Sequence, residues 1–150
     1  MVLSQSDRQN RPRLYPMLRL RPVLTAALVY WAVVFAFAFV LGIGRTLWLA
    51  PQIGALAAVA CEVPLTLGAS WFAARGLTRR YRIANRLDAL AMGLCAFAIL
   101  MLAEVALARL LTRQSPGAWA ASLLTPEGAL GLGGQVLFAL MPWWVSRRER

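Results

Sequence analysis

Two glutamates, Glu62 and Glu104, interrupt stretches that are otherwise apolar enough to cross a membrane. An ionised carboxylate in hydrocarbon is costly, so each needs a partner, a water-filled cavity or a proton. Arg45 can supply a positive charge and Gln135 an amide, and both stand in or beside apolar stretches of their own. Three chemistries fit this set. Arg45 can pair with Glu62 or Glu104 and fix how helices pack, because a buried pair gives packing specificity more reliably than stability. Either acid can take up and release a proton or bind a cation. The charges can also orient the headgroup of a lipid, a quinone or another hydrophobic small molecule in a pocket.

Other chemistries lack their residues. The sequence has no His, which removes the commonest metal ligand and the usual general base. No metal site, no cofactor and no catalytic residue is expected, and no nucleophile–base pair is visible. The two cysteines, Cys61 and Cys95, fall in apolar stretches and read as small hydrophobes rather than as a disulfide. The Gly-rich segment GALGLGG (Gly128–Gly134) follows no strand, so it reads as helix packing through Gly128, Gly131 and Gly134 rather than as a phosphate loop.

The elements that carry these residues follow from length and apolarity. Of 150 residues, 60% are hydrophobic, against roughly 45–50% in a soluble domain. The excess falls into four blocks, at 23–43, 53–74, 88–108 and 126–145, each near the ~20 residues a helix needs to cross. The alternation of Phe35, Phe37 and Phe39 is strand-like locally, but the block is about twice the length of a membrane strand. The expected fold is all-α: a four-helix transmembrane domain over residues 21–146, antiparallel, between a basic tail at 1–20 and a short basic tail at 147–150. Asp88 is the expected N-cap of the third span. Thr125, Pro126 and Glu127 supply a cap, a first-turn proline and a dipole-compatible acid for the fourth.

Charge sets orientation. All sixteen basic residues are arginine, and the net charge is +10. Thirteen of them lie in the N-terminal flank, in the segment RGLTRRYRIANR and at the C-terminus; Arg45, Arg109 and Arg113 lie on the other side. The positive-inside rule then puts both termini in the cytoplasm. Arginines placed in span flanks point to anionic lipid headgroups as the partner of this charge, not to nucleic acid. At ~1.5 Å per residue, Glu62 is roughly 13 Å and Glu104 roughly 6–9 Å from the outer ends of their spans.

Helical spacing gives the faces. Glu62 shares one with Gly54, Ala58, Thr66, Ala69 and Ser70, a small and weakly polar stripe suited to helix packing. Pro64 removes a backbone hydrogen bond two residues from the acid and is a candidate kink. Gly93, Leu100, Glu104 and Ala108 share a face of the third span, and Gly128, Gly131 and Gln135 one of the fourth.

The segments GIGRTLWLAPQIG (Gly42–Gly54) and EVPLTLGASWFAARGL (Glu62–Leu77) resemble a family of small four-helix inner-membrane proteins of proteobacteria. The resemblance rests on Arg45, Ala50, Pro51 and Gly54, followed by Glu62 and Pro64, with Glu104 fitting as well. It implies a multi-pass protein of the bacterial inner membrane and brings no activity with it. The residues point first to a non-enzymatic accessory, assembly or scaffold subunit that packs with other membrane proteins or with itself. The alternative is a small proton- or cation-coupled transporter or channel with Glu62 as carrier.

Overall fold

The computed structural model describes residues 20–148. The basic tail expected over 1–20 lies outside them except for Leu20, and so does the end of the one expected over 147–150. The described residues are helical and contain no strand. Helix α1 (Leu20–Gly44) runs on through a π-helical turn (Arg45–Leu49) into the short α2 (Ala50–Ile53). Then follow α3 (Ala55–Arg80), α4 (Arg86–Thr112), the short α5 (Pro116–Ser122) and α6 (Pro126–Arg148). Four helical stretches, Leu20–Ile53, Ala55–Arg80, Arg86–Thr112 and Pro126–Ser146, are long and apolar enough to cross a membrane.

Each long helix runs past the block expected from hydropathy at its arginine-bearing end. The segment after Gly44, expected as a loop, is helical throughout. The chain breaks instead at Gly54, whose φ of +84° is open to glycine and rarely to a residue with a Cβ. The cap of α4 is Asn85, not Asp88: Asn85 is extended, and its side chain accepts from the Leu87 N–H at 3.1 Å. Asp88 falls inside the first turn, where an acid favours the helix dipole. At α6 the expected cap is present, with the Gly128 N–H donating to Thr125 Oγ1 at 3.2 Å.

Helix α1 packs on α3 and α4, and α6 packs on the same two. The core runs from Val23, Ala74, Ala89 and Val145 to Val34, Ala96 and Phe138, and there it stops. We call this the basic end, since Arg79, Arg80, Arg82 and Arg86 flank it. Small residues on several helices, among them Ala26, Ala27, Ala74, Ala89 and Gly93, let the backbones approach here. At Gly93 the approach is so close that a Cβ would overlap the Ala139 carbonyl oxygen and press on Pro142.

Pro142 sits fully buried in that seam. It has no N–H, so the carbonyl four residues earlier loses its helical partner. That carbonyl belongs to Phe138, and the Tyr30 hydroxyl of α1 donates to it at 2.9 Å. The two rings stack with centroids 4.6 Å apart and planes 5° from parallel. Tyr30 thus covers an exposed backbone acceptor and fills the centre of the core at once. In α3, Thr66, Ser70 and Thr78 turn their hydroxyls back to the carbonyls of Glu62, Thr66 and Ala74. The stripe therefore packs while its polar atoms stay satisfied inside the helix.

Candidate functional site

Beyond the core the helices part. At the end opposite the arginine-rich turn, Ala58 and Val59 are buried, but the charged residues and their neighbours stay half-buried or exposed. Between the helices lies a cavity of about 810 Å³, floored by Val34 and Phe138. That size falls within the ~300–1,000 Å³ of small-molecule sites. Arg45, Glu62, Glu104 and Gln135 all line it, so the structure brings the four polar candidates to one place.

The acids have different partners. Arg45 Nε stands 2.5 Å from Glu62 Oε2, with the two side chains 31% and 18% exposed. The contact is charge against charge, since the buried Arg45 Nε–H is not aligned on an acceptor. A π-helical turn begins at Arg45, whose side chain reaches Glu62 of α3. Gly42 lies beside the pair; a Cβ there would be 3.9 Å from Glu62 Oε1. Glu104 has no basic partner among the described residues. Its Oε1 accepts a hydrogen bond from Gln135 Nε2, which ties α4 to α6. The other amide atom, Gln135 Oε1, is buried with no hydrogen-bond partner, and so is Trp31 Nε1.

The glycines expected to pack α6 divide. Gly134 does so: a Cβ would fall 3.1 Å from Val63 Cγ1 of α3. Gly128 is crowded not by another long helix but by the end of α5, at Ser122 and Leu123. Gly131 packs against nothing; it lines the cavity, and a Cβ there would meet open space. Pro64 is exposed, and α3 runs through it as one helix.

Sequence reasoning missed the aromatic wall. Trp31, Phe35 and Phe39 form a ladder along α1, with successive centroids 5.3 and 6.1 Å apart, and all three face the cavity. Their i, i+4 spacing was the available signal. The alternation at 35, 37 and 39 masked it, and Phe37 faces outward, 43% exposed. Glu127, in the first turn of α6, lines the cavity as well, as does Trp119 of α5. Pro142 and its link to Tyr30 were not singled out either.

Chemically, the arrangement offers apolar and aromatic walls with a few polar groups fixed among them. No group of three His, Cys, Asp or Glu able to hold a metal ion occurs among the described residues. Cys61 and Cys95 are free thiols, the first exposed and the second half-buried. Compared with known proteins, the chain matches no family model, no curated protein and no solved structure, so the reading of this site rests on its geometry.

Proposed function

We propose that this chain is a multi-pass membrane protein that binds an amphipathic small molecule in the cavity between its parted helix ends. One observation carries the reading: the polar candidates face inward onto a cavity of ligand size, not outward to lipid or to another protein. The outward face carries large apolar side chains such as Phe72, Leu102 and Leu110, as a lipid-facing surface does. Small residues are exposed too, among them Ala57, Ala60 and Cys61 of α3, so packing with other membrane proteins or a second copy is compatible with binding.

The contacts also support an antiparallel arrangement with both termini on one side. Arg45 meets Glu62 while Tyr30 lies near Ser70, and Glu104 meets Gln135 while Gly93 meets Ala139. With the arginine-rich segments at the basic end, the positive-inside rule makes that end cytoplasmic, against anionic headgroups. The cavity then opens in the outer half of a bacterial inner membrane.

The geometry favours Glu104 over Glu62 for a carrier role. Glu62 is already neutralised by Arg45, whereas Glu104 faces the cavity with only an amide beside it.

Mass spectrometry of the intact protein, released from mild detergent, tests binding directly. The wild type is expected to carry a bound small molecule or lipid. Gly131→Phe is expected to lose it while keeping its helix content, since the new ring grows into open cavity space. Equal retention by both proteins, or none by either, overturns the reading.

A further inference from the structure

The charges of the cavity say which amphiphiles suit it. Three carboxylates line it, those of Glu62, Glu104 and Glu127, against one guanidinium, that of Arg45. Arg45 and Glu62 cancel each other at 2.5 Å. Glu127 sits in the first turn of α6, where the helix dipole offsets part of its charge. Glu104 keeps a neutral partner, Gln135, whose second amide atom is an unpartnered, buried acceptor. The wall of α4 and α6 is thus rich in acceptors, and its Glu104 carboxyl has no cation beside it among the described residues. Facing the same space from α1, Trp31, Phe35 and Phe39 present a run of aromatic rings. Trp31 and Phe35 stack on each other, and the ring faces that this stack leaves uncovered carry negative quadrupole potential, which attracts cations that have shed their water.

We propose that the cavity selects hydrophobic organic cations: molecules with an apolar, ring-sized body and one delocalised or shielded positive charge. The cation lies against the aromatic ladder and is balanced by the Glu104 carboxylate. The inference rests on the binding function proposed above and adds the sign of charge. It also runs against the charge of the whole molecule. At +10 the protein attracts anions non-specifically, so a preference for cations has to come from the site.

Tetraphenylphosphonium and tetraphenylborate have the same shape and opposite charge, and triphenylphosphine oxide is a neutral comparator. Their binding to the detergent-solubilised full chain is measured by equilibrium dialysis at fixed ionic strength, in a non-ionic detergent. The expected result is saturable binding of the phosphonium in preference to the borate. In Glu104→Gln the phosphonium weakens by about tenfold or more, as for a partly desolvated charge pair, while the neutral oxide is unaffected. Phe35→Leu, a second variant that leaves all charges in place, weakens the phosphonium more than the oxide.

Equal or tighter borate binding overturns the cation assignment, and so does a cation preference unchanged in Glu104→Gln. In either case oxide binding that Gly131→Phe abolishes leaves the amphiphile cavity standing. If none of the three probes binds, both this inference and the binding function fail.

Discussion

The ion pair between Arg45 and Glu62 forms part of the cavity wall. Its two side chains are partly exposed, so its net contribution is smaller than that of a fully buried pair. Removing one partner still leaves a charge facing a low-dielectric wall. Arg45→Ala is expected to destabilise the folded protein by about 1–3 kcal/mol. Neutralising both, in Arg45→Ala with Glu62→Gln, should restore part of that loss. A double-mutant cycle read by denaturant unfolding in detergent measures the coupling; additive losses would mean that the pair contributes nothing. The four polar residues of this site were legible in the sequence because charge and amide groups stand out against apolar runs. Which acid takes the arginine was not legible. By depth alone Glu62 and Glu104 both lie within reach of Arg45, and only the fold shows which of them it meets.

At the scale of elements, the helices were legible and their seams were not. Apolar length marks a span, but the seam between α4 and α6 depends on Gly93 meeting Ala139 and Pro142, residues more than forty positions apart. Tyr30 and Phe138 are joined across 108 positions, and only the fold shows that a proline-freed carbonyl waits for that hydroxyl. The link makes a specific prediction. Tyr30→Phe removes the donor and leaves the Phe138 carbonyl buried without a partner, which is expected to cost about 1–3 kcal/mol. In a Pro142→Ala background the helix recovers an N–H for that carbonyl, so Tyr30→Phe should then cost measurably less. Thermal unfolding of the four proteins of this cycle checks it. An unchanged cost of Tyr30→Phe in both backgrounds would show that the hydroxyl does not serve the proline gap.

On the scale of the whole molecule, one end of the four-helix assembly is a packed core and the other a walled cavity. Alanine and glycine facing one another close the first end. Rings and charges hold the second apart, with Trp31, Phe35 and Phe39 on one side and Glu104 with Gln135 on the other. Hydropathy along the chain cannot show this difference, because it comes from side-chain volume summed over helices far apart in sequence. The most direct test compares water access at two glycines of α6. Gly131 lines the cavity, whereas Gly133 is exposed on the outer face of the helix and does not line it. In a protein whose Cys61 and Cys95 are replaced by Ala, single cysteines are placed at one position or the other and treated with a membrane-impermeant maleimide in proteoliposomes. The account predicts that Gly131→Cys reacts and is protected by a bound amphiphile, while Gly133→Cys, facing lipid where a thiolate does not form, stays unlabelled. Equal labelling of the two positions, or none at Gly131→Cys, would contradict it.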